Sequence, residues 1–153
     1  MNCSRPGAIA LLVLSVSLVP GLAAADTVTY ENGISQLIKD RCSECHGSDA
    51  PTMAEFKADQ EKYKKDKLGP RMDSYDSLMV MVNGSDTGAV MRRLDDGTNT
   101  KDGKPGNMYK QLGKEDAERA ANLARFKNWI GGWSLKKAAE IGEDERKAIL
   151  APR

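Results

Sequence analysis

Five consecutive residues, Cys42-Ser43-Glu44-Cys45-His46, constrain this chain more than any other feature. They form a Cys-x-x-Cys-His pentad, and His46 is the only histidine in the sequence. That spacing is the one used for covalent attachment of a c-type haem. Each residue type has a task in the chemistry. Two thiols one helical turn apart add to the two vinyl groups of the porphyrin, and the adjacent imidazole reaches the iron as proximal ligand. Other uses of the same residues fit worse. A thioredoxin-like dithiol belongs near a βαβ pattern, and strand-like alternation is missing around the pentad. A structural zinc site normally takes four nitrogen or sulfur ligands. Beyond the N-terminal segment this chain offers two cysteines and one histidine, all within the pentad.

The N-terminus reads as an export signal rather than as part of the fold. Arg5 supplies a short positive region, and Ala8 to Val19 is an apolar run too short to span a bilayer comfortably. Ala23-Ala24-Ala25 then matches the small-x-small pattern of a cleavage site. Residues 1–25 are therefore expected to be a cleaved signal peptide, with a mature chain from Asp26 to Arg153. Cys3 precedes the apolar run, the wrong place for a lipoprotein attachment site. No stable membrane insertion is expected after cleavage.

Charge excludes one class of partner. Loss of Arg5 leaves the 22 acidic residues matched by an equal number of basic ones. Nucleic-acid binding would demand a clear basic excess. The mature chain is of single-domain size. With two Phe and two Trp its apolar supply is modest, so the porphyrin is expected to complete the core and the apoprotein to fold poorly.

Periodicity places several helices and no repeats. Tyr30 to Arg41 reads as the first helix, with Ile34, Leu37, Ile38 and Cys42 on one face. Glu55 to Lys67 carries Lys57, Lys62, Lys64, Lys65 and Lys67 interleaved with acids. It reads as a solvated surface segment more readily than as a docking element. Ser74 caps a helix from Tyr75 to Val82, with Tyr75, Leu78, Met79 and Val82 on one stripe and Met81 off it. A short helix follows around Gly88 to Leu94. Asp95 to Asn107 is a polar loop long enough to expect a function of it. Glu115 to Ile130 is the clearest helix, with acids in its first turn and Phe126, Trp129 and Trp133 along an aromatic stripe. One or two short amphipathic turns are expected after Ser134.

Taken together, a pentad behind an N-terminal helix and an aromatic amphipathic helix near the end, the chain resembles a class I c-type cytochrome of the bacterial periplasmic monohaem kind. The resemblance spans roughly Tyr30 to Trp133. It implies an all-α fold with the N- and C-terminal helices packed around one covalent haem c. The domain would be 26–133, followed by a C-terminal helical extension over 134–153. It also implies a site. In the family a methionine on an extended loop before the last helix is the sixth iron ligand, and Gly106-Asn107-Met108-Tyr109 stands in that place here. Gly69-Pro70-Arg71-Met72 resembles the family's Gly-Pro-x-Leu, whose proline carbonyl accepts a hydrogen bond from the proximal imidazole. The expected haem-binding set is thus Cys42, Cys45, His46, Pro70 and Met108, with His46 and Met108 on the iron. Haem is attached outside the cytoplasmic membrane in this family, which implies the periplasm.

Seven methionines invite alternatives, most of them core filler. Met91 is the competitor to Met108, because it follows an Asn83-Gly84 turn that precedes the ligand in some bacterial members. The resemblance implies a monomeric electron carrier, not an enzyme, that meets redox protein partners at an exposed haem edge. Arg71, Arg92, Arg93 and Lys104 are candidate propionate or partner contacts. The alternative function is a haem-based small-ligand sensor or peroxide-reacting enzyme with an open distal site. The lack of a second histidine counts against peroxide chemistry, which wants a base near the iron.

Overall fold

The computed structural model describes residues 27–153. The expected signal peptide and its cleavage site lie outside the described residues. Among those residues the regular structure is helical, apart from one isolated antiparallel bridge between Gly131 and Ile149.

The chain opens with a wide π-type turn, Tyr30–Ile34, that runs directly into α1, Ser35–Arg41. Thr29 and Asn32 start it by reciprocal bonds. The Asn32 amide N–H donates to Thr29 Oγ1 (3.1 Å) and the Thr29 N–H to Asn32 Oδ1 (2.7 Å). Ile34, Leu37 and Ile38 are buried along one face, as their spacing predicts. Helix α2, Ser43–His46, follows from Cys42.

The lysine-rich segment forms two short helices, α3 (Met53–Ala58) and α4 (Gln60–Lys65), separated at Asp59. Neither buries a residue fully, and Phe56 and Tyr63 stack on each other with ring centroids 6.3 Å apart. Helix α5 is Tyr75–Val82, capped by Ser74, whose hydroxyl accepts from the Ser77 amide at 3.2 Å. The expected stripe along α5 needs correction. Leu78, Met81 and Val82 are buried, while Tyr75 and Met79 are only half-buried. Tyr75 must keep its hydroxyl paired, and it does so at the rim by donating to the Ala151 carbonyl at 3.0 Å. Met81, off the expected stripe, is buried as well, and Met79 packs against the core in part.

Helix α6, Ala89–Leu94, buries Val90, Met91 and Leu94. An irregular loop and a 3-10 turn, Tyr109–Leu112, lead to α7, Asp116–Ile130. Leu123, Phe126, Trp129 and Ile130 of α7 are buried, and α7 packs on the Tyr30–Ile34 turn and the 3-10 turn. Each such large side chain contributes about 1.5–3 kcal/mol by leaving water. Tyr30 meets Trp129 at 6.4 Å and Tyr75 at 5.5 Å between ring centroids. At the opposite end of the same packing, Arg41 of α1 pairs with Glu118 of α7. The N- and C-terminal helices thus lie together, as the fold expectation requires.

The segment after Trp133 carries α8, Glu143–Lys147, and returns to the core. Ile149 and Ala151 are buried in it. The Pro152 carbonyl accepts from Trp129 Nε1 (2.7 Å) and from the Tyr30 amide (2.9 Å), tying the first helix, α7 and the chain end at one point. Among the described residues no helix is long and apolar enough to cross a membrane.

Candidate functional site

The pentad occupies the junction of α1 and α2. The amides of Cys45 and His46 both donate to the Cys42 carbonyl, at 3.2 and 2.9 Å, so the five residues form one tight turn. Cys42 and Cys45, three positions apart, therefore stand on the same side of it. Both thiols are free of disulfide and partly buried.

The segment 69–72 is laced to this turn by its backbone. Gly69 N–H donates to the Cys45 carbonyl (2.8 Å), Met72 N–H to the His46 carbonyl (2.8 Å) and Arg71 N–H to the Pro51 carbonyl (2.7 Å). Arg71 Nε adds a bond to the Ala50 carbonyl at 3.0 Å. The lacing brings Gly69 so close to His46 that a Cβ there would overlap the imidazole. Pro70 then presents its carbonyl 2.7 Å from His46 Nδ1. A carbonyl can only accept, so Nδ1 carries the proton and Nε2 the lone pair.

Burial sets the protonation states. It pushes the His46 pKa below the ordinary 6.5, and the bond to Pro70 opposes this only in part, so the imidazole is neutral at pH 7. Burial, with a smaller effect from Cys45, pushes the Cys42 thiol up to about 11. A redox dithiol works through a lowered thiol pKa, and the rise at Cys42 counts against that use. Among the described residues no group of three or more His, Cys, Asp or Glu is arranged to hold a metal ion by itself. The donor set does fit an attached haem: two thiols on one side of a turn and a neutral imidazole whose Nε2 lone pair is free to point at iron.

Met108 lies far along the chain and is placed by α6. Its amide donates to the Arg93 carbonyl at 2.9 Å, and Gly106 N–H donates to the Asp95 carbonyl at 2.8 Å. Gly106 passes so close that a Cβ would overlap the Arg92 and Arg93 carbonyls. The Met108 side chain is half-buried beside the core. Met91, the competitor, has no exposed surface at all, with its thioether enclosed by protein atoms. Met53 and Met79 are half-buried, while Met72 and Met81 are buried.

The cationic candidates are engaged locally. Arg92 bonds the Lys136 carbonyl, Arg93 bonds Asn107 Oδ1 (3.0 Å), and Lys104 lies 3.9 Å from Asp102. Arg71 is committed to Ala50 as above. The lysines of α3 and α4 remain exposed, apart from ion pairs such as Lys57 with Asp86 at 2.6 Å.

One residue of evident importance carries no motif. Asp95, at the start of the polar loop, is fully buried. Its carboxylate accepts from Gly97 N (2.9 Å), Asn99 N (3.3 Å), Asn99 Nδ2 (2.8 Å) and Trp133 Nε1 (2.9 Å). Burial disfavours its charge, but these donors outweigh that and hold its pKa below the ordinary carboxylate value. The local run Asp95-Asp96-Gly97-Thr98-Asn99 hints at Asx-type turns. The Trp133 contact spans 38 residues and has no sequence signal.

Comparison with known proteins identifies the family. The family described as PccH cytochrome c matches residues 29–149. Among solved structures the chain is similar to the monoheme cytochrome PccH from Geobacter sulfurreducens. The two are 48% identical with a TM-score of 0.77, over 82% of this chain and 98% of that one. Among curated proteins none matches the chain.

Proposed function

The chain belongs to the PccH cytochrome c family and carries one covalently bound haem c, and on that premise we propose that it is a periplasmic electron carrier of the class I type, with the haem on Cys42 and Cys45 and the iron between His46 and Met108. The bound haem supplies a one-electron ferric/ferrous couple. The residues supply rigidity and insulation. Pro70 orients His46 and raises its basicity through the Nδ1 bond. The loop closed by Gly106 and Asp95 holds Met108. His46 and Met108 would both hold the iron, and the sequence has no second histidine to act as a base, which favours electron carriage over bond-making chemistry. Donor and acceptor proteins would meet the monomer transiently at the haem edge.

The observation that carries this reading is the 2.7 Å contact between His46 Nδ1 and the Pro70 carbonyl, beside two thiols of the same turn. Support for Met108 over Met91 comes from burial. The Met91 thioether has no exposed surface, whereas Met108 is half-buried on the loop before α7.

The test is near-infrared absorption and magnetic circular dichroism of the oxidised holoprotein, wild type beside Met108→Ala. A sulfur-to-iron charge-transfer band in the wild type and its loss in Met108→Ala is the expected result. A band that survives moves the ligand to another methionine. A high-spin wild type without the band means an open iron and a ligand-binding role. Cell fractionation with mass measurement of the mature N-terminus checks cleavage after Ala25 and the periplasmic location.

A further inference from the structure

The polar loop between α6 and the 3-10 turn is not held by packing. Between Asp96 and Pro105 only Gly97 is buried, and most residues are exposed. The loop has two fastenings instead. At its C-terminal end the Gly106 and Met108 amides donate to the Asp95 and Arg93 carbonyls. At its N-terminal end the Asp95 carboxylate gathers four donors, three within the loop and one, Trp133 Nε1, from the chain beyond α7. The neighbouring Asp96 reaches Lys127 of α7 at 3.7 Å, and that lysine also lies 5.6 Å over the Trp133 ring. Asp95 therefore joins three things: the end of α6, the loop and the C-terminal end of α7.

A fully buried carboxylate is costly unless every lone pair is used. Here both oxygens are bonded, and the donors are distributed so that removing the charge frees both the loop and Trp133. The same residue's backbone carbonyl holds Gly106, two positions before Met108. We propose that Asp95 is a positioning residue for the iron's sixth ligand: it fixes where the Met108 thioether can reach, through the 95–107 loop and without touching the haem. This rests on the reading of Met108 as that ligand. The loop is the gate that a competing ligand must open, and its opening frequency follows from how well Asp95 is satisfied.

The test uses four holoprotein variants beside the wild type: Asp95→Asn, Trp133→Phe, Met108→Ala and Ile149→Ala. The last weakens the core at a site remote in sequence from the loop. Each is read by the near-infrared sulfur-to-iron band, by the rate of carbon monoxide binding to the ferrous form, and by thermal midpoint. Asp95→Asn should weaken the band and speed carbon monoxide binding by about tenfold, the lower end of what losing an outer partner of a metal ligand costs. Trp133→Phe should move both readouts the same way by less. Ile149→Ala should lower the midpoint and leave both at wild-type values. Asp95→Asn with a lowered midpoint but a wild-type band and binding rate would overturn the proposal and leave Asp95 a stability residue. If Asp95→Asn yields no holoprotein, an unchanged band and rate in Trp133→Phe overturns it. A band that persists in Met108→Ala overturns the ligand assignment itself, and with it this role for Asp95. Loss of the band there beside an unaltered Asp95→Asn sinks only the positioning role.

Discussion

Gly69, Arg71 and Met72 fasten the segment beside His46 by three backbone bonds to residues within the stretch 45–51, and Pro70 completes the clamp. The segment bearing Met108 is fastened differently. Two of its amides hang on carbonyls at the end of α6, and the loop leading to it is pinned by one buried carboxylate that reaches Trp133. The first arrangement joins residues such as His46 and Pro70, 24 positions apart, but it is made of main chain, so few side-chain substitutions undo it. The second depends on one side chain's charge and on a contact made only after α7 has docked. The lesson is that a site can have one side held by main-chain bonds and another held by the charge of a single buried side chain.

The largest expected effect attacks the first side through its chemistry. In Cys42→Ala/Cys45→Ala, haem should be wholly extractable with acidified acetone, whereas it should stay with the wild-type polypeptide. Haem resisting extraction from the double variant would place the attachment elsewhere.

Paired glycine substitutions sharpen the contrast. Gly69→Ala forces a Cβ against the imidazole, and overpacking of this kind costs about 1–3 kcal/mol. It should cut the yield of holoprotein and lower its urea midpoint. Gly106→Ala forces a Cβ against two backbone carbonyls. It should leave haem attachment intact while weakening the sulfur-to-iron band. If both variants alter the same readout, the two sides are not independent.

Acid distinguishes them more gently. In the haem-free chain His46 has a folded pKa below 6.5, so stability falls as pH drops from about 6.5 toward the folded value, and coordination of Nε2 to iron would remove that titration. Asp95 has a folded pKa below 3.8, so its contribution is whole above that value and is lost only as pH falls through the folded pKa. The stability gap between wild type and Asp95→Asn should therefore be constant near neutrality and close below about pH 3.8. Urea midpoints across that range measure it, and a gap that closes near pH 6 would mean another group is responsible.

The smallest effect is expected at Leu150, 69% exposed between buried Ile149 and Ala151. Leu150→Ser should change stability by no more than about 0.5 kcal/mol. A larger loss by thermal melting would show that this side chain is covered in solution.

Several elements were legible before the structure because their causes are local. Ser74 starts α5 and acids start α7, since a capping hydroxyl and the helix dipole act within one turn. Ile34, Leu37 and Ile38 face inward by spacing alone. The inward turn of Met81 rather than Met79 was not legible. Nor was the bond from the Tyr75 hydroxyl to the Ala151 carbonyl, a pairing across 76 positions. The tail after Trp133 had no readable chemistry, yet Pro152 there accepts from both Tyr30 and Trp129.

What the sequence by itself determined is the pentad, and with it the haem chemistry, because thiol and imidazole spacing on one helical turn needs no partner from elsewhere. It also set the helical periods and the near-balance of charge. Only the tertiary structure decided that Met91 is fully enclosed while Met108 is half-buried, and what anchors the loop between α6 and α7. Those depend on groups distant in the chain meeting in a dry interior, where a hydrogen bond left unmade is too costly to tolerate.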